Sequence, residues 1–327
     1  MPAIVLLIIS TIIGAGFATG AELVAFFGGS SLSPWVVAII VGMFLFAIMT
    51  VLVFLAPRRQ HPIVRHAFTA VYFAVFAVMT AGFAQLCGVW ATVAALAFCI
   101  IVVMFGFDKL LFVNKYIMYF VLAILLTASI ANIGPYDNSP FVKGGTSLGA
   151  GVLSALLYAG LNCCLLVAVI AKSLEKTSRK RVLVSCAVAT VIICVFVALI
   201  LTAIRAQGVS ADMPILALSN TPLTMIAVLL CILTSMMICL FNVSKNTTVR
   251  SYWLILLCGF AFALSFFGFK DILGVAYPAL GFGMVLYVGW LCCVGCLGVL
   301  RRRIIRRRLG RLLGHDFFVV DDTVNRL

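Results

Sequence analysis

The sequence predicts an all-α integral membrane protein with about ten transmembrane helices. Hydrophobic residues make up 65% of the 327 and charged residues only 10%, against about 25% charged in a typical soluble domain. Apolar runs close to the roughly 20 residues that span a ~30 Å hydrocarbon core recur along the chain. Basic residues gather in alternate connections, the asymmetry that membrane insertion leaves in a sequence. In lipid every backbone polar group needs an internal partner, so the runs are read as helices.

In order, the segments lie near 2–27, 33–56, 64–88, 89–106, 112–134, 147–171, 182–206, 221–243, 251–268 and 272–300. The first has no basic n-region, and Glu22 stands where a cleavage zone would lie, so a retained helix is expected rather than a signal peptide. The third and fourth nearly touch around Gly88 and Trp90. Between the seventh and eighth, "SADMPILALS" (210–219) reads as a short loop helix able to cap an outer vestibule. Tyr277-Pro278 marks a kink near an outer gate. Residues 1–300 are read as a single transmembrane domain, with repeat one about 1–145 and repeat two about 146–300. A basic tail, 301–327, follows.

An even number of segments puts both termini on one side. Of the 23 lysines and arginines, all but Lys143, Arg205 and Lys270 fall in the tail or in connections after even-numbered segments. Both termini are therefore expected in the cytoplasm, with the chain in the cell membrane. The net charge of +14 then reports topology, and no nucleic acid is needed as a partner. The tail stretch "RRRIIRRRLGRLLG" is expected to lie against anionic lipid headgroups, each basic residue contributing about 1 kcal/mol.

The twelve cysteines sit mostly in apolar runs, where cysteine serves as a small hydrophobe, and their spacing does not resemble a zinc site. No G-x-x-x-x-G-K-[ST] loop, H-E-x-x-H motif or pair of membrane aspartates occurs, so neither an ATP motor nor an enzyme is expected.

"TIIGAGFATGAE" (11–22) sets Gly14, Gly16, Gly20 and a carboxylate inside the first apolar run. Gly16 and Gly20, four apart, suit close helix packing. Glu22 argues for more, being the one acidic residue of nine clearly within a predicted span. An unpaired carboxylate there costs roughly 2.5–3.5 kcal/mol and usually marks a functional cavity. A second interruption, "SALLYAGLNCCLLVA" (154–168), places Tyr158, Gly160 and Asn162 in the sixth segment. Two units of five helices must insert in opposite senses. Interrupted segments at matching positions of two such halves point to a transporter binding site.

"GAGFATGAE", the Tyr158-x-x-x-Asn162 pair and the ten-helix plan resemble the YkvI-like bacterial membrane proteins. That group is similar to the amino acid–polyamine–organocation superfamily, which has the LeuT fold. The likeness covers residues 1–300, with Ala21 where family versions carry Gln. It implies a 5+5 inverted repeat with helices one and six broken at mid-membrane. It also implies a secondary active transporter of a small solute, an amino acid or related organic ion. The solute would meet the backbone of Gly14, Ala15, Gly16, Phe17 and Thr19, and the side chains of Glu22, Gln85, Tyr158 and Asn162. In "CILTSMMICLFN", Thr234 and Ser235 match the hydroxyl pair with which sodium symporters of this fold face first-helix carbonyls. Here those positions are Ser10 and Ile13, giving hard oxygen ligands for a coupling Na⁺. Glu22 as a proton carrier is the rival coupling device. A transport-inactive sensor or scaffold of the same fold needs the same pocket and is the second reading.

Overall fold

The computed structural model describes residues 2–56, 62–134, 147–208, 213–219, 221–246, 251–267 and 277–296, which are helical without a strand among them. The basic tail and the 135–146 connection between the expected repeats lie outside the described residues. The helices are α1 (Pro2–Ile12), α2 (Ala15–Thr19), α3 (Ala21–Phe27), α4 (Pro34–Leu55), α5 (Pro62–Met104) and α6 (Phe107–Ala131). They continue with α7 (Leu148–Lys176), α8 (Arg179–Gln207), α9 (Pro214–Leu218), α10 (Pro222–Asn246) and α11 (Ser251–Leu264). The last is α12 (Tyr277–Cys296).

Among the described residues, seven helices (α4, α5, the 112–131 part of α6, α7, α8, α10 and α12) are long and apolar enough to cross a membrane. Their outward faces confirm the solvent they are built for. On α4, Val37, Val41, Leu45 and Leu52 point inward and are buried, while Trp35, Ile39, Met43 and Phe46 are exposed. A helix apolar on all sides belongs in lipid. The protein is thus an all-helical, multi-pass membrane protein.

The count departs from ten for three local reasons. The first segment is cut by its own glycines into α1, α2 and α3, each shorter than a span. The third and fourth segments join in α5, whose 43 residues would measure about 65 Å if straight, roughly twice the hydrocarbon thickness. Gly88, at φ 76° and ψ 179°, divides it into 62–87 and 89–104. The ninth segment forms only the 14-residue α11.

The packing falls into two groups around α1. α4 lies against α7 and α8, while α10 lies against α5 and α6, and α11 against α5. α1 touches α6, α7, α8 and α10. The connection between α3 and α4 is held from the far end of α8. Arg205, 7% exposed, donates from Nη1 to the Leu32 carbonyl and from Nη2 to the Ser30 carbonyl (2.5 and 2.8 Å). Replacing Arg205 by Met strands one buried and one part-buried carbonyl. A loss of about 3 kcal/mol is expected, read as a lower midpoint of thermal unfolding in detergent; an unchanged midpoint would refute the clasp.

The expected loop helix exists as α9. Its Pro214 and Ile215, with Ile204 of α8, stand 3.2–3.3 Å from where a Cβ on Gly20 would lie. Gly20 also has φ 80°, a left-handed conformation that glycine adopts without strain. α9 therefore sits against the junction of α2 and α3 at Gly20.

Candidate functional site

The first break is where the sequence places it. The Gly14 N–H bonds the Ile12 carbonyl at 2.8 Å, skipping the Ser10 carbonyl that an unbroken helix would use. Gly14 is extended (φ −87°, ψ −169°) and leads into the short α2, which ends at Gly20. The expectation of non-helical backbone over Gly14–Gly20 is thus met at its two ends, while Ala15–Thr19 keeps one helical turn.

Glu22, at the start of α3, folds back over that turn. A Cβ on Gly16 would run into its carboxyl group, from Cγ to Oε1. The absence of a side chain at Gly16 thus has a steric reason: Glu22 occupies the space. Glu22 is 5% exposed, and its carboxyl group faces the Tyr277 hydroxyl.

A cavity of about 20 Å³ opens at this point, and its wall includes Thr11, Gly14, Glu22, Asn162, Ser235, Asn242 and Tyr277. That volume accommodates about one water-sized group. The Nδ2 of Asn242 has no hydrogen-bond partner among the described residues. Apolar walls come from Val75 and Met79 of α5 and from Leu161 and Leu165 of α7.

The second expected break is absent. α7 runs unbroken from Leu148 to Lys176, through Tyr158, Gly160 and Asn162. Gly160 is there for contact. A Cβ on it would stand 2.6 Å from the Gly281 carbonyl of α12, and a Cβ on Gly281 would collide with the Leu157 carbonyl. Small residues let the two backbones meet, the packing role such residues have between membrane helices. A milder disturbance lies one turn further on. The Tyr72 hydroxyl of α5 accepts the Ala168 N–H (3.2 Å) and faces the Cys164 carbonyl (3.5 Å). It thus inserts beside the very step where α7 would bond to itself.

The structure gathers some of the predicted residues and disperses others. Gly14, Glu22, Asn162 and Ser235 line the cavity together. Asn162 donates from its amide to the Tyr158 carbonyl (2.9 Å). Tyr158 is fully buried behind Glu22, edge-on to Phe26 and Phe27 at 5.5 Å. Phe17 and Thr19 are buried in α2, with the Thr19 hydroxyl donating to the Gly16 carbonyl at 3.1 Å. The side chain of Ala15 lies outside the described set. Gln85 is a correction: it stands on the exposed side of α5 and does not line the cavity, because Tyr72, Val75 and Met79 form the inward stripe.

The four residues expected around Na⁺ are only partly convergent. Ser235 Oγ lies 3.2 Å from where a Cβ on Gly14 would be. The Ile13 carbonyl accepts the Cys231 thiol. Thr234 and Ser235 both donate to the Cys231 carbonyl (2.9 and 3.0 Å). Ser10 faces elsewhere, donating to Leu7 (3.0 Å) and accepting from Asn114 of α6 (2.7 Å).

Sequence reading missed Asn242, Tyr72 and the inward role of Tyr277. Asn242 had a signal: Ser235, Cys239 and Asn242 share one helical face, four and seven residues apart. "GTSLG" (145–149) also spells G-x-S-x-G, the nucleophile motif of α/β hydrolases. Here no strand precedes it among the described residues, and Ser147 Oγ accepts the Ala150 N–H (3.3 Å) as the cap of α7.

The fold and site together define a polytopic α-helical membrane protein with a small cavity at a helix break, its wall largely apolar and set with a few polar side chains. The chain matches no protein-family model and no curated protein sequence.

Proposed function

We propose that this protein is a secondary active transporter of a small organic ion, of the YkvI-like type and with the LeuT plan. The observation that carries the reading is the buried cavity at the Gly14 break, walled by the buried carboxylate of Glu22. Such a group is expensive within a membrane and is retained at solute or ion pathways. A gap in a transmembrane helix is tolerated where it lines a cavity.

The helix packing supports the inverted repeat. With α1–α3 as one pass and α5 as two, the chain makes ten passes, five in each half. Segment one then touches six (α1 with α7), two touches seven (α4 with α8), and three and four touch eight and nine (α5 with α10 and α11). Equivalent elements meet in this way when two halves are related by a pseudo-two-fold axis. The break after α1 has no counterpart in α7, which is continuous.

Na⁺ is the coupling ion we favour, at Ser235, Thr234 and the Ile13 carbonyl, with Ser10 joining if it leaves Asn114. Proton coupling through Glu22 is the alternative. The experiment is counterflow in proteoliposomes across Na⁺ and pH gradients, with wild type and Thr234→Ala/Ser235→Ala. Exchange that requires Na⁺ and is lost in the double variant is expected. Binding without exchange would make the protein a sensor or scaffold.

Both termini are cytoplasmic in this reading, from the distribution of basic residues. A cysteine placed at Asn138 should be labelled from outside the cell, and one at Thr177 should not. The opposite pattern would invert the topology.

A further inference from the structure

We propose that the protein pairs with a second copy of itself through α8, along a seam of four valines that faces out of the molecule. The contact is independent of whether the protein transports. From Phe196 to Arg205 the helix is buried by its own chain, apart from the half-buried Leu199. Its N-terminal half emerges. The large hydrophobic residues exposed there are Val184, Val188, Val191 and Val195, and all four are valine.

Their spacing is that of a helix–helix contact. Steps of four, three and four residues set the valines on one line, as the a and d positions of a heptad do. Arg181, also exposed, extends the line by a further step of three, to about 21 Å. A line of this period stays against a partner helix through a shallow left-handed crossing. Other outward faces lack this uniformity. α4 shows Trp35, Met43 and Phe46, and α12 shows Phe282, Leu286 and Trp290.

Composition favours protein over lipid as the neighbour of this seam. Membrane helices associate by close packing, which short side chains permit and long ones prevent. Valine in a helix keeps nearly one χ1 rotamer, so little freedom is lost when a partner packs on it. One shoulder of the seam is low as well. Ala187 is small, and the Cys194 Sγ is turned inward to the space that a Cβ on Gly42 would need. A second helix can approach closely on that side.

The occupant is a second copy because the rim of the seam complements itself. Glu175, which pairs with Lys172 of its own helix, stands exposed near the end of α7. Arg181 lies near the start of α8, two linking residues beyond the end of α7. A two-fold contact repeats each group on both sides of its axis, so it brings a carboxylate and a guanidinium from each copy to one rim. Copies inserted in the same sense present α8 to α8 in parallel, as the heptad line requires. Arg179 and Lys180 leave the rim basic, and anionic headgroups beside it offset that charge.

The test follows the full-length protein in vesicles of phosphatidylethanolamine and phosphatidylglycerol. Single-molecule photobleaching over a lipid-dilution series reads the monomer–dimer equilibrium. Val188→Cys, Val191→Cys, Met43→Cys and Leu286→Cys are each oxidised, and the linked peptides are identified by mass spectrometry, which separates them from the twelve native cysteines. A dimer is expected, with residue 188 or 191 linked to its own counterpart and residues 43 and 286 unlinked. Val188→Trp/Val191→Trp should raise the dissociation constant by about tenfold or more. Met43→Trp, an equal addition on another outward face, should leave it unchanged. Monomers throughout the dilution series, with lipid alone on the seam, would overturn the proposal. So would a dimer linked through residue 43 or 286, or one indifferent to the paired tryptophans. The cross-links decide the matter even if the tryptophan variant fails to fold.

Discussion

Gly16→Leu is expected to lower the affinity for the transported solute by about a hundredfold, about 2.7 kcal/mol, while the protein still reaches the membrane. The reason is spatial. The position of a Cβ on Gly16 coincides with the Glu22 carboxyl group, so a leucine side chain expels that group from the cavity wall. Overpacking in a fixed core costs about 1–3 kcal/mol in stability, which must be told apart from lost recognition. A double-mutant cycle does so, because contacting residues are coupled. Removing the carboxyl group in Gly16→Leu/Glu22→Ala should recover much of the thermal stability lost in Gly16→Leu, and should recover no binding. If the two substitutions are additive in stability, Gly16 and Glu22 do not meet as described.

Gly281→Leu is expected to be among the most damaging single substitutions in the described part of the chain. Its Cβ position collides with the Leu157 carbonyl, and that of Gly160 lies 2.6 Å from the Gly281 carbonyl. Both obstacles are backbone, which has no rotamer with which to yield. α7 and α12 must therefore separate by a side-chain diameter. Since membrane helices associate chiefly through close packing, the contact is lost along its length, at a cost of about 3 kcal/mol or more. Thermal unfolding in detergent reads this directly. Gly289→Leu, on the same helix with open space at its Cβ position, should leave the midpoint nearly unchanged. Equal effects at the two glycines would remove the crossing as the cause.

The same two positions show why the first break was legible in the sequence and the second was not. Gly14, Gly16 and Gly20 fall within seven residues and are followed by a carboxylate that lipid cannot hold unpaired. Local chemistry alone disfavours a continuous helix there. Gly160 stands by itself between Tyr158 and Asn162, and a single glycine can either open a helix or admit a neighbour. Gly281, more than a hundred residues away, decides the matter by filling the space beside it, and no local pattern contains that fact.

The cavity divides along the same line. Glu22 announced itself because a charge in an apolar run is a local anomaly. Asn242, near the end of α10, and Tyr72, within the first half of α5, are ordinary polar groups until packing turns them inward. Gln85 looked equally suited to a cavity, yet it falls on the outward side of α5.

By itself, then, the sequence determined what depends on the solvent and on neighbouring residues: the membrane, the helices within it, the break at Gly14 and the burial of Glu22. Hydropathy and backbone hydrogen bonding act residue by residue, so they can be read along the chain. Only the tertiary structure decided which face of each helix turns inward, that α7 stays whole against α12, and that Glu22 folds onto Gly16. Those outcomes depend on distances between residues far apart in sequence, and van der Waals contact acts across space.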